Sequence, residues 1–134
     1  MKTRLTLIVV AALIVTAAAP VFAHHSFAAE YDSNKPTTLT GSVVKLEWIN
    51  PHARIYIDVK GPDGKVSNWE IELGAPAMLI RNGWTKNSLK AGEMITITGS
   101  LAKDGSNLAN ARSVTLADGT KVFAGSSQET QTNQ

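Results

Sequence analysis

The chain has 134 residues, which suffices for one domain but not comfortably for two. Its formal net charge is only +2. Two of its basic residues lie in the first four positions, so the remainder has 11 basic and 11 acidic residues and no electrostatic reason to bind nucleic acid. It contains no cysteine, which excludes disulfides and thiolate metal sites.

The first 23 residues have the organisation of a cleaved secretory signal peptide. Lys2 and Arg4 supply a positive start, residues 5–19 form an uncharged apolar run, and a proline ends it. We expect signal peptidase to cut after Ala23. An uncleaved membrane anchor is the alternative, but the run is shorter than the roughly 20 residues that a spanning helix needs. We therefore expect a periplasmic or secreted protein with no stable membrane anchor after cleavage.

The mature chain opens with residues 24–36, which show no clear period. Phe27 and Tyr31 are the side chains that could anchor this segment to a surface. Residues 37–49 are rich in β-branched and aromatic side chains and predict the first strand. Gly41 inside it predicts a bulge or a sharp bend.

Two strands joined by a hairpin follow. Residues 53–60 alternate between apolar and polar side chains, and residues 66–73 do the same. The intervening Gly-Pro-Asp-Gly-Lys sequence predicts the turn. In the second strand Trp69 points inward, whereas Glu70 and Glu72 point outward, where a solvated strand face is the simplest interpretation.

The pattern then changes period. Residues 75–82 predict a short helix with Pro in its first turn. Residues 93–102 and 110–116 predict two more strands, and a short apolar run at 121–123 allows a sixth. The last residues, 125–134, are polar and are expected to be disordered.

This order predicts a mainly β fold: a small five- or six-stranded barrel with one short helix between strands three and four. It resembles the OB-fold, and residues 89–99 are similar to the helix-to-strand-four passage of many OB-fold proteins. An open α+β sheet is the alternative, but closure protects the strand edges. We expect one domain over residues 24–124, with Trp48, Trp69 and Trp84 in its core.

Four motifs carry a closer resemblance: HHSFAAEYD at residues 24–32, WINPH at 48–52, GWT at 83–85 and ANARSV at 109–114. They resemble a family of small exported bacterial proteins classed as a domain of unknown function. The resemblance covers almost the whole mature chain and implies a periplasmic β-rich protein. One departure is Arg54, which stands where the resemblance leads us to expect Trp after Asn-Pro-His-Ala.

Three histidines, His24, His25 and His52, are the candidate metal ligands. Cleavage after Ala23 would give His24 a free α-amine, which chelates a metal together with the ring Nδ1. A third nitrogen from another histidine completes a histidine brace, which suits Cu(II) and less well Zn(II). His52, in a short loop between strands, is the natural third ligand. His25 is weaker, because adjacent side chains of an extended chain point to opposite sides.

Glu30 or Asp32 would supply an axial oxygen. A Cu(I) site with methionine ligands is not expected, because only Met78 and Met94 remain after cleavage and both fit core or helix positions. The structural alternative is a solvated mature terminus and a His52 that only bonds a nearby carbonyl group.

Three functions stand open. The first is a periplasmic metal-binding protein, a Cu(II) carrier or buffer. The second is a non-metal module that presents Tyr56, Asp58, Glu70 and Glu72 to a periplasmic protein or glycan partner. The third is a copper enzyme built on the brace, which we rank lowest because little chain is left for a substrate platform once the barrel is built. The chain also has no complete catalytic constellation, phosphate-binding Gly loop or nucleophile elbow. We therefore predict a metal-binding protein that is not an enzyme.

Overall fold

A computed structural model of the chain describes residues 27–125. Its elements are α1 (Phe27–Glu30), β1 (Tyr31–Glu47), β2 (Arg54–Lys60), β3 (Val66–Glu72), α2 (Pro76–Arg81), β4 (Met94–Ala102), β5 (Leu108–Thr115) and β6 (Lys121–Phe123). The predicted signal peptide with its cleavage point, His24, His25 and residues 126–134 of the predicted tail lie outside the described residues.

The six strands form one sheet that closes on itself. Their order is β3-β2-β1-β4-β5-β6, and β3 also pairs with β5. This β3–β5 pair is parallel, whereas the neighbours in that order are antiparallel. The prediction of a mainly β fold is confirmed: the sheet is ring-like, and a short helix lies between β3 and β4.

The long strand β1 holds the two halves of the ring together. It pairs with β4 from Tyr31 to Ser42 and with β2 from Ser42 to Glu47. It begins six residues earlier than the sequence predicts, because the partner strand β4 extends far enough for Ala102 to pair with Tyr31. This early start places the first described residues against the body of the domain.

Two glycines allow strands to approach closely. A Cβ on Gly41 would lie 2.6 Å from the backbone oxygen of Asp58, and one on Gly99 would lie 1.8 Å from the backbone oxygen of Asn110. The bulge predicted at Gly41 lies slightly further along β1. Gly41 is therefore required for close packing of backbones and not for the irregularity itself.

The apolar core fills the inside of the ring. Its fully buried side chains include Ile55, Ile57, Ile71, Leu73 and Ile97. Helix α2 contributes Leu79, which is also fully buried. Trp84 is buried and donates its Nε1 proton to the carbonyl oxygen of Phe123 at 2.9 Å, while Trp48 and Trp69 are partly buried against the core. The core positions predicted for the tryptophans are confirmed.

A second, smaller cluster anchors the first described residues. Phe27, Tyr31 and Ala102 are buried together with Leu108 packed against them, and the Phe27 and Tyr31 ring centroids are 5.4 Å apart. This confirms the anchoring expected for the two aromatic residues. The short helix α1, four residues long, is not predicted by the sequence pattern. Within residues 27–125, no helix has the length and apolar character needed to cross a bilayer.

Replacing Gly99 by Ala is expected to lower the free energy of unfolding by about 1–3 kcal/mol or more, because the new Cβ collides with backbone that cannot move aside. Urea denaturation checks this. The matched control is Gly61→Ala, whose Cβ would meet the flexible Asp63 side chain at 3.0 Å. Equal losses in the two variants would contradict this account of Gly99.

Candidate functional site around His52 and Glu72

His52 lies in the loop between β1 and β2 and is half-buried. Its Nδ1 lies 3.1 Å from the carbonyl oxygen of Leu73. A carbonyl group only accepts hydrogen bonds, so Nδ1 is the donor of this bond, and Nε2 is the ring nitrogen that remains to bind a metal. Metal-binding histidines are commonly oriented by such a hydrogen bond from the nitrogen that does not bind the metal. The bond therefore fits both a structural histidine and a ligand.

The loop around His52 is fixed to the end of β3 by backbone hydrogen bonds. The Ala53 amide donates to Gly74, and the Leu73 amide donates back to Ala53 at 2.8 Å. Both the ring and the backbone next to it are thus attached to one short segment after β3. His52 is consequently held in place close to Glu72, the last residue of that strand.

Glu72 differs from its predicted position on a solvated strand face. It is half-buried, and burial is the largest cause of a raised pKa for its carboxyl group. The charge of Glu30 raises this pKa further, while His52 and Arg54 act in the opposite direction. The carboxyl group is therefore partly removed from water, and the charged or titratable side chains of Glu30, His52 and Arg54 lie near it.

Two buried polar atoms beside Glu72, Arg54 Nε and Asn110 Oδ1, have no hydrogen-bond partner within residues 27–125. The buried Tyr31 hydroxyl interacts with the Glu72 carboxyl group. Arg54 on β2 and Asn110 on β5 are the residues directly opposite Glu72 in the sheet. Burial, and next the charge of Glu72, raise the pKa of Tyr31, so its hydroxyl stays protonated. Buried polar atoms are normally paired, so the two atoms without a partner could accept a water molecule or an ion as one.

We call Tyr31, His52, Arg54, Glu72 and Asn110 the Glu72 cluster. Asn110 is 1% exposed and donates its Nδ2 proton to Glu72 at 3.3 Å. Arg54 also forms an ion pair with Glu70, 2.9 Å between Nη1 and Oε1. The arginine that replaces the expected tryptophan thus contributes a positive charge between two carboxylates.

The predicted partner-binding face is engaged in contacts of its own. The Lys45 ammonium group lies 4.4 Å from the centroid of the Tyr56 ring, and Glu70 forms an ion pair with Arg54. Asp58 accepts a hydrogen bond from Asn68 at 3.1 Å. These side chains therefore make contacts with their neighbours on the sheet surface. The Glu72 side chain, in contrast, is half-buried.

The predicted metal ligands are only partly brought together within the described residues. His52 belongs to the Glu72 cluster, and Glu30 lies near enough for its charge to act on Glu72. Asp32 instead accepts a hydrogen bond from the Asn34 amide. No group of three or more His, Asp or Glu side chains that could hold a metal occurs in residues 27–125. A complete site would thus need a ligand from outside that range.

His24 lies outside the described residues. Two residues separate it in sequence from Phe27, whose ring packs on Tyr31. Tyr31 in turn lies close enough to Glu72 for that charge to raise its pKa. Phe27 therefore marks where the described part of the chain begins beside the Glu72 cluster.

Sequence reasoning missed the burial of Glu72 and the involvement of Tyr31 and Asn110. Alternation along β3 correctly places Glu72 on the outer side of the sheet, but it does not reveal what covers that side. The cover comes from α1 and the start of β1. The available signal was the pair of aromatic residues at positions 27 and 31, which needed a surface on which to pack.

A family model described as a family of unknown function, DUF6152, matches residues 11–111. This is well over half of the chain, and the resemblance to a domain-of-unknown-function family is confirmed. Comparison with curated proteins and with solved structures gave no match.

Replacing Glu72 by Gln is expected to raise the melting temperature of the metal-free protein at neutral pH by a few degrees, because Gln has no charge to desolvate. The gain depends on pH. Between the ordinary carboxyl pKa of 4.5 and the raised value, the folded state binds more protons than the unfolded state, so wild-type stability falls as pH rises through that window. The variant should lack this loss of stability. Calorimetry at several pH values across the window measures the melting temperatures of both proteins.

Glu47→Gln is the control for that measurement. Glu47 is hydrogen-bonded to Lys45, which lowers its pKa, so its replacement removes no desolvation penalty and should not raise the melting temperature. A Glu72→Gln protein that melts below the wild type at every pH would contradict the account, because the ionised carboxylate would then stabilise the fold.

Proposed function

Since the chain belongs to DUF6152, a family of unknown function, we propose its function from its own residues: it is an exported Cu(II)-binding protein, a carrier or buffer of the ion. One observation carries the proposal. His52 Nδ1 lies within hydrogen-bond distance of the Leu73 carbonyl oxygen, which leaves Nε2 as the nitrogen to bind a metal, next to a half-buried carboxylate beside which two buried polar atoms lack a partner. The role is binding, with no catalytic step.

The ligand set combines the mature N-terminus with this loop. His24 supplies its α-amine and Nδ1, and His52 supplies Nε2. Three nitrogens in a plane match the tetragonal preference of Cu(II), which leads the divalent affinity series; Zn(II) is the weaker alternative. His25 is the substitute ligand if its ring reaches the ion in place of His52.

Glu72 gives the site its charge balance. A bound dication favours the ionised form of a nearby carboxyl group, which offsets the effect of burial on the pKa of Glu72. The free α-amine, with a pKa of about 7.7, must also lose its proton before it binds. Affinity should therefore fall as the pH is lowered, because protons compete with the metal at several groups.

The proposal ties metal binding to export. Before cleavage after Ala23 the nitrogen of His24 is an amide and cannot complete the chelate. Cleavage creates the amine, so the protein gains its metal site only after it crosses the membrane. The working location is therefore the periplasm or the exterior, where the ion itself or a periplasmic protein is the partner.

Mature protein whose mass confirms a start at His24 is expected to bind one Cu(II) tightly. His52→Ala should weaken the affinity by roughly tenfold or more, as should acetylation of the His24 α-amine, because each change removes a nitrogen ligand. Glu72→Gln should weaken it less, and Glu47→Gln should leave it unchanged. Calorimetric titration gives the affinities, and electron paramagnetic resonance reports the number of nitrogen ligands.

Two outcomes would contradict the proposal. Binding that is lost on acetylation of the α-amine but kept in His52→Ala would indicate a simple terminal chelate without the loop histidine. No tight binding at all would exclude the metal function.

A further inference from the structure

The end of the described chain packs against the loop that follows β3. We call residues 123–125, which are the last residue of β6 and the two after it, the C-terminal segment. Ala124 is fully buried, and its amide donates to the backbone carbonyl oxygen of Arg112 on β5 at 2.8 Å. The segment is therefore attached to the sheet through its own backbone.

Gly74 joins the C-terminal segment to the candidate metal site. Its amide donates to the carbonyl oxygen of Ala124 at 2.8 Å, and its own carbonyl oxygen accepts the amide of Ala53 at 3.1 Å. Ala53 follows His52 in the chain, and the residue before Gly74 is Leu73, whose carbonyl oxygen lies 3.1 Å from His52 Nδ1. Hydrogen bonds thus connect the C-terminal segment with both the backbone and the ring of His52.

The close approach at Gly74 requires glycine at that position. A Cβ there would lie 2.7 Å from the carbonyl oxygen of Gly125 and 3.6 Å from that of Ala124. Any larger residue would therefore push the C-terminal segment away from the loop after β3, since glycine alone lets two backbones come so near. The contact between the segment and the loop is a built feature of the fold.

Trp84 attaches the same segment from a different part of the chain. The tryptophan is 2% exposed, and its Nε1 proton is donated to the carbonyl oxygen of Phe123 at 2.9 Å. A buried indole N–H needs a partner, so this bond fixes the position of the carbonyl group. Two consecutive carbonyl groups of the segment, those of Phe123 and Ala124, are thus held by donors from separate loops.

The orientation of the His52 ring determines which of its nitrogens can face a metal. The partner that orients a metal-binding histidine is typically worth roughly 10–100-fold in metal affinity. For His52 that partner is the Leu73 carbonyl group. Its direction depends on the peptide that links Leu73 to Gly74, and the amide of that peptide is the one bonded to Ala124.

We propose that the C-terminal segment is a positioning element for His52. Through Gly74 it fixes the Leu73 carbonyl group, which keeps Nδ1 turned towards the protein and Nε2 towards the metal. The segment supplies no ligand itself. This role rests on the function proposed above, whereas the orientation of the ring is measurable in the metal-free protein.

The test measures nitrogen NMR shifts of the His52 ring in metal-free mature protein at about pH 8.5, where the ring is neutral because its ordinary pKa is about 6.5. These shifts report which nitrogen carries the proton, and the wild type is expected to carry it on Nδ1. A chain that ends at Thr120 lacks the segment and should show a mixture of both forms. Its Gly74 amide should also exchange roughly tenfold faster or more.

The matched control is a chain that ends at Gly125. It keeps the C-terminal segment and lacks only the residues after it, so its ring shifts and Gly74 exchange should equal those of the wild type. The chain that ends at Thr120 keeps the β3–β5 pairing that closes the sheet but loses the pairing of β5 with β6. A second variant of full length therefore accompanies it.

Trp84→Phe removes the donor to Phe123 and keeps an aromatic ring in the core. It should move the His52 ring shifts in the same direction and weaken Cu(II) binding by roughly threefold to tenfold. Its matched control, Trp69→Phe, removes an indole donor that bonds only to Ser67 on the same strand. That variant should change neither the ring shifts nor the affinity.

The positioning role and the metal function fail in different ways. Ring shifts that stay at the wild-type values in Trp84→Phe would show that the segment does not orient His52, whether or not the shorter chain folds. Changed shifts with an unchanged Cu(II) affinity would overturn the role in metal binding. If the shifts change as expected but the wild type binds no Cu(II), the positioning of the ring is upheld and the proposed function is wrong.

Discussion

The parallel pairing of β3 with β5 is the constraint on which the rest of the structure depends. It is short, with three residue pairs from Glu70–Leu108 to Glu72–Asn110, yet it closes the sheet. Without it β3 would be an exposed edge. The same pairing sets Glu72 beside Asn110, so the contact that completes the fold also assembles the polar cluster. Fold and candidate site are in this sense one feature.

The sequence predicts those parts of the fold that local chemistry determines. Alternating side chains define β2 and β3, an Asp-Gly turn joins them, and a change of period marks α2. The start of β1 at Tyr31 could not be found in this way, because its pairing partner Ala102 is about seventy positions further along the chain. Long-range pairing has no local signature, and the helix α1 depends on the same contact.

The residues of the candidate site likewise divide into those that local sequence reveals and those that depend on long-range contacts. His52 is recognisable from the sequence as a candidate ligand because it is one of only three histidines in the chain and lies in a short loop between predicted strands. Glu72 is not, since its burial depends on Tyr31 and α1 covering the outer side of the sheet. Burial of a carboxyl group normally costs stability, and its raised pKa is the sign of that cost. A position that opposes folding in this way is a reasonable place to find a binding function.

The anchoring of Phe27 has a consequence for the proposed metal site. Its ring packs on Tyr31, so the described chain begins from a fixed attachment point. A ligand supplied from just before that point would act as if at a high effective concentration, in the millimolar range or above for short flexible connections. Under the proposal, the hydrophobic contact between two rings would favour a coordination event in which neither ring takes part.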